Sequence, residues 1–160
     1  MQKYILLLLL IVMASCKSTS PNYGSENKEA YSRYVKMDFK EVNSAKKNRA
    51  YDLGKRLLET CNTSKFKSFS RDEATESVIK NATVEKISKT CQKIILRNGK
   101  FIDLQLSEVI HDVETDNYMF KYKIQYEKKY FERELNVKIN KDGKVAAIST
   151  KESAEKPMWL

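Results

Sequence analysis

The stretch Tyr118–Tyr126, YMFKYKIQY, carries the period on which the fold turns. Tyr118, Phe120, Tyr122, Ile124 and Tyr126 alternate with Met119, Lys121, Lys123 and Gln125, and a period of two suits a half-buried strand and no helix. The next segment repeats it: Phe131, Arg133, Leu135, Val137 and Ile139 alternate with Glu132, Glu134, Asn136 and Lys138. Asn140-Lys141-Asp142-Gly143 then reads as a turn into a last strand, Val145 to Ser149. Upstream, Ile102, Leu104, Leu106 and Ile110 alternate with Asp103, Gln105 and His111. These segments predict a four-stranded antiparallel meander. Phe120 and its neighbours face a core, and Lys121, Lys123, Glu132, Glu134 and Lys138 face water in cross-strand charge pairs.

The cover for that apolar face lies before residue 100, where the period is helical. Tyr31, Tyr34 and Val35 recur at helical spacing, and Asp38 with Glu41 has the form of a capped helix start. Phe39, Val42, Ala50, Leu53, Leu57 and Cys61 continue one stripe, interrupted by Gly54, where the helix bends or something packs closely on its backbone. Ser70-Arg71-Asp72-Glu73 forms a capping box for a short helix to about Ile79. Thr83 caps a third helix with the apolar face Val84, Ile87, Cys91, Ile94 and Ile95, stopped by Asn98-Gly99. The expected fold class is α+β, with three N-terminal helices packed on one face of the curved meander.

The amino-terminal segment speaks of location rather than chemistry. MQKYILLLLLIVMASC (1–16) has a cationic start at Lys3, an apolar run from Ile5 to Met13 and small residues before Cys16, the pattern of a secretory signal. A run of about ten residues covers only about half of the ~30 Å hydrocarbon core, so it is too short to span as a helix. Met13-Ala14-Ser15-Cys16 resembles a bacterial lipobox, with Met13 in place of the more usual Leu. That resemblance implies cleavage before Cys16, a diacylglyceryl group on its sulfur and acylation of the new amino terminus. The expected partition is a signal peptide over 1–15, lipidated Cys16 and a tether over 16–29, the α+β domain over 30–150 and a tail over 151–160. KSTSPNYGSENKE (17–29) is poor in apolar residues, and as a flexible chain reaches ~20 Å. Lys17 stands where many Gram-negative lipoproteins carry an Asp that retains them at the inner membrane. The expected location is therefore the outer membrane, facing the periplasm, with membrane lipid as a partner through acylated Cys16.

Composition narrows the rest. The chain holds 30 basic and 21 acidic residues, a net charge of +9. The basic residues are scattered as solvated lysines, and neither a nucleic-acid motif nor a fitting compartment accompanies them, so no nucleic-acid partner is expected. With Cys16 lipidated, Cys61 and Cys91 are the remaining cysteines of an exported chain, which favours a disulfide over a pair of buried thiols. The tail KPMWL (156–160) is read as folding back onto the domain, with a partner-binding peptide as the alternative.

Helices followed by an antiparallel meander resemble the cystatin-like and nuclear transport factor 2-like folds, the nearest things to motifs being GKFIDLQLSEV (99–109) and NKDGKVAAI (140–148). The resemblance implies a cone between helices and sheet. It brings no catalytic residue with it.

Candidate sites are correspondingly sparse. His111, beside Asp112, has the composition of a general base but no accompanying nucleophile motif, so a surface role is the plainer reading. One histidine and two cysteines make no zinc set, Asp103, Glu108, Asp112, Glu114 and Asp116 lack calcium-loop spacing, and four scattered glycines make no phosphate cradle. No metal, cofactor or catalytic group is expected. A candidate pocket on the inward face is assigned to Tyr118, Phe120, Tyr122 and His111. Three functions stay open: a lipid-anchored binding or accessory module meeting an envelope protein or small ligand, a small enzyme using Asp103 or His111 in that pocket, and a structural or assembly partner.

Overall fold

The computed structural model describes residues 32–129 and 131–152. The signal peptide, Cys16, the tether and the tail from Ser153 onward lie outside the described residues. Five strands and three helices follow in the order β1 (Tyr34–Lys36), α1 (Ser44–Thr63), α2 (Glu76–Asn81), α3 (Val84–Asn98), β2 (Phe101–Asp112), β3 (Asn117–Tyr126), β4 (Arg133–Ile139) and β5 (Val145–Glu152). The α+β class and antiparallel meander stand as expected, but the sheet has five strands in the order β1-β2-β3-β4-β5, and a strand precedes the helices. Tyr34 and Val35, read at helical spacing, belong to that added strand, which pairs Tyr34 with Asp112 and Lys36 with Ile110. Three residues are too few to display a period of two, so only their pairing makes them a strand. Lys151 and Glu152, assigned to the tail, complete β5.

Alternation holds on the central strands. Phe120, Leu135, Val137 and Ile139 are 0% exposed and Tyr122 1%. On β2 it fails twice, because irregularities between Phe101 and Asp103 and between Leu106 and Glu108 each shift the pairing with β3. Phe101, Leu104 and Val109 therefore face the core, while Ile102, expected inside, is 56% exposed. An extra residue in one strand reverses the faces of those beyond it. Toward solvent, Glu108 pairs with both Lys36 and Lys121, and Glu134 with Lys151.

The helix starts were displaced by competing local bonds. The Asp38 carboxylate accepts from the Lys40 amide at 2.9 Å inside a turn, and α1 begins instead after Asn43, whose Oδ1 accepts from Ala45 and Lys46. Phe39 is consequently exposed. Ser70 to Glu73 do form reciprocal bonds, with the Ser70 amide donating to Glu73 Oε2 at 2.9 Å and the Glu73 amide to the Ser70 carbonyl. They close a turn and start no helix. The chain here is drawn toward β5: Val145 donates to the Glu73 carbonyl and accepts from the Thr75 amide, and α2 starts only at Glu76. Thr83 caps α3 and Gly99, at φ +74°, ends it, but Val84 is 59% exposed and lies off the buried stripe.

Gly54 marks the contact that seats α1 on the sheet. A Cβ at this position would stand 2.6 Å from Leu135 Cδ2 and 3.4 Å from Leu104 Cδ1. The glycine lets the helix backbone approach β4 and β2 directly, the second of the two readings of that residue. Around this contact Ala50, Leu53 and Leu58 from α1 join the sheet's apolar residues in one core.

Two predictions follow from these contacts. Gly54→Val should lower stability by about 1 to 3 kcal/mol through overpacking against Leu135, although valine is the better helix former; a urea midpoint equal to or above the wild type would contradict the contact. The Arg56 guanidinium, in two bonds at 2.8 and 2.9 Å, holds the Glu73 carboxyl at about 2 against 4.5 for an unperturbed glutamate. A carboxyl depressed on folding stabilises fully above its unfolded value, and that stabilisation fades as pH falls from about 4.5 through about 2. Glu73→Gln should show a shallower loss of stability across this window in acid titrations of the urea midpoint, and parallel curves would count against the pair.

Candidate functional site

The four residues assigned to the inward pocket do not share one cavity. Phe120 and Tyr122 are packed solidly into the core, Tyr122 against Tyr51 with ring centroids 6.4 Å apart. Burial pushes the Tyr122 hydroxyl well above the usual tyrosine range, and its oxygen has no hydrogen-bond partner among the described residues. Tyr118 and His111 sit instead at the hairpin end of the sheet. They are register partners on β3 and β2, so their rings stack at 4.2 Å and 15°.

His111 is paired with Asp116, not with its neighbour Asp112: Nε2 lies 2.8 Å from Asp116 Oδ1. Adjacent residues on a strand point to opposite faces, which separates His111 from Asp112. Lys46 reaches over from α1, 4.2 Å from the Tyr118 ring centre and 3.4 Å from Asp116. The His111 hydrogen bond keeps the Asp116 carboxyl below its usual range. Asp112, nearly buried, accepts two bonds from Arg33 at 2.8 and 2.9 Å and one from Thr115 at 2.8 Å, and these donors depress its carboxyl strongly. It anchors the turn and the entry to β1.

Asp103, the other acid considered, accepts a 2.6 Å bond from the Tyr51 hydroxyl and stands 3.5 Å from Lys55. The tyrosine bond lowers its carboxyl. All three carboxylates are thus held ionised by their partners, an arrangement that braces structure and gives no protonated donor near neutral pH. Among the described residues no group of His, Cys, Asp and Glu is gathered to hold a metal ion.

The open space lies at the periphery, where sequence periodicity did not look. Cys61 on α1 and Cys91 on α3 form a disulfide with their Cα atoms 4.8 Å apart. The bridge holds α3 to α1, while α2 packs on β5, an edge strand of the sheet. Between α2, α3 and β5 remains a groove of about 380 Å³, within the ~300–1,000 Å³ usual for small-ligand sites. Leu58, Val78, Ile94 and the disulfide form its floor, and Leu57, Ile87 and Ile148 its half-buried walls. Lys86 is the one titratable side chain of the lining, and Ser77, Asn81, Thr90, Ser149 and Thr150 add polar edges. A second hollow of about 220 Å³ adjoins it and shares Thr90 and Ile94.

The sequence carried a signal for this site. Ile87, Cys91 and Ile94 are the apolar stripe of α3, and Lys86, Lys89, Lys93 and Arg97 run beside it at intervals of three or four residues. Such a stripe reads as core, because periodicity cannot tell a face covered by a sheet from one left beside a sheet edge. No family model, curated protein or solved structure matches this chain.

Because the disulfide underlies the groove, its removal is measurable in stability. Closing the interval of 30 residues should be worth about 3 to 4 kcal/mol in the chain-entropy account. The double substitution Cys61→Ala with Cys91→Ala should lose that amount in urea denaturation, whereas identical midpoints for oxidised and reduced wild type would exclude a bridge that matters to the fold.

Proposed function

We propose that this chain is a lipid-anchored lipoprotein of the bacterial cell envelope, acting as a non-catalytic binding or accessory module with the groove between α2, α3 and β5 as its binding surface. The observation that carries the binding role is the lining of that groove: an apolar floor and walls with polar edges and a single titratable side chain. Such a surface gains free energy by covering apolar area and offers no acid–base pair to a reacting substrate. The His111–Asp116 pair, the nearest thing to catalytic chemistry, is bound up with Tyr118 and Lys46 at the hairpin end instead.

The anchor rests on the sequence. A short apolar run ending in Met13-Ala14-Ser15-Cys16 supports a lipobox, and residues 17–29 have a tether's composition. Attachment is through acylated Cys16 in this reading; among the described residues no helix is long and apolar enough to cross a membrane. Lys17 after the cysteine favours the outer membrane, with the domain in the periplasm. The finer fold assignment, a cystatin-like or nuclear transport factor 2-like cone, is supported by helices laid against an antiparallel meander. Its interior is filled by Phe120, Tyr122 and Leu135, which moves ligand binding to the edge.

Detergent phase partitioning decides the anchor. Wild type should enter the detergent phase and Cys16→Ser the aqueous phase, and equal partitioning of the two would overturn the lipoprotein reading.

A further inference from the structure

The two adjoining hollows differ in chemistry, and the difference selects a ligand class if the groove is a binding surface, the reading on which this inference rests. Lys86 lines the apolar groove, whereas Lys89, Lys93, Arg97 and Arg133 line the second hollow. The four cations of α3 follow one another at spacings of three, four and four residues, so they form a single ridge along the helix. Arg133, from β4, closes the same end from the sheet side, and its buried Nε has no partner among the described residues.

Carboxylates moderate this charge without cancelling it. Glu85 pairs with Lys89 at 2.9 Å, and Glu152 lies between Arg97 at 3.0 Å and Arg133 at 3.1 Å. Lys93 is in no ion pair among the described residues. The site therefore has one mainly apolar half with the single cation Lys86 and one half where four cations gather, with Thr90 and Ile94 at the junction.

We propose that this composite site takes a single-chain anionic amphiphile of the fatty-acid type. Its acyl chain lies in the groove over Leu57, Val78, Ile148 and the Cys61–Cys91 bridge, and its carboxylate sits against Lys93, Arg97 and Arg133. Burial of methylenes supplies the affinity and is indifferent to direction; the cationic end supplies the orientation. A peptide laid along the open side of β5 would use the same apolar floor, but its chemistry does not call for cations gathered at one end.

The test uses the full chain carrying Cys16→Ser, which keeps solubilising detergent out of the assay, with binding followed by titration calorimetry below the micelle concentration of each probe. Laurate should bind saturably at one per chain, decanoate roughly tenfold more weakly for its two missing methylenes, and dodecyl maltoside, with the same chain and no charge, more weakly than laurate. Lys89→Glu with Lys93→Glu should weaken laurate at least tenfold and leave dodecyl maltoside unchanged. Ile148→Trp, with an unchanged circular dichroism spectrum, should abolish both.

Equal binding of laurate and dodecyl maltoside, unaffected by the lysine substitutions, overturns the anionic class and leaves the groove as a binding surface. Binding of neither probe with or without residues 153–160, or binding unaffected by Ile148→Trp in a folded variant, overturns both readings. Laurate binding that appears only after deletion of residues 153–160 overturns the proposal in favour of the chain's own carboxy-terminal segment as occupant.

Discussion

The rest of the domain depends on how closely the α1 backbone can approach the sheet at Gly54. With Leu135 Cδ2 only 2.6 Å from where a β-carbon would be, α1 sits lower on β4 than a helix bearing a side chain there could. That approach brings Leu53 and Leu58 into contact distance of the inward residues of the sheet and leaves Phe120, Leu135, Val137 and Ile139 with no exposure. A glycine in mid-helix costs about 1 kcal/mol of helix propensity, and the core packing it allows offsets that cost. The same closeness fills the interior with side chains. An internal binding cavity and this helix seat are alternatives for one volume, and the chain has the seat.

The groove is then a consequence of geometry at the margin. One helix laid low over the centre of the sheet cannot also cover β5, which lies at the edge of the sheet order. The short α2 packs on it, tied in by the bridge between Ala74 and Val145, and α1 touches it as well. The disulfide fixes α3 to α1 at Cys61 and Cys91, so α3 overhangs the edge from the helix layer. Apolar residues that would be core under full coverage become the walls of a hollow. Half-buried Leu57, Ile87 and Ile148 are its sign, and the basic ridge of α3 runs beside it.

Electrostatics in the fold serve mainly to hold elements in place. Arg33 clamps Asp112 and so docks the three-residue β1 against β2, a strand too short to be held by its ladder alone. Arg56 clamps Glu73 and with it the turn leading to α2. In both pairs an arginine fork meets a half- or fully buried carboxylate, the geometry in which such pairs contribute most. His111 beside Asp116 belongs to the same class of bracing contact.

What the sequence by itself determined is the class and the centre of the molecule. Periods of two over 118–126 and 131–139 assign the core faces of β3 and β4, because those strands are buried on one side only and pair with each other without interruption. Thr83 and Gly99 bound α3 by local bonding, and Cys61 and Cys91 form the expected pair. What only the tertiary structure decided is everything that depends on a second segment. β1 exists because β2 offers it hydrogen bonds; the irregularities in β2 are set by its pairing with β3, and no pattern within residues 101–112 announces them. The capping residues near 38 and 70 made turns, since Asp38 bonds its own loop and Glu73 is taken by Arg56. The groove is the extreme case: the stripe of α3 is the same string of residues whether a sheet covers it or ends beside it, and coverage is a property of how far α1 and β5 stand apart.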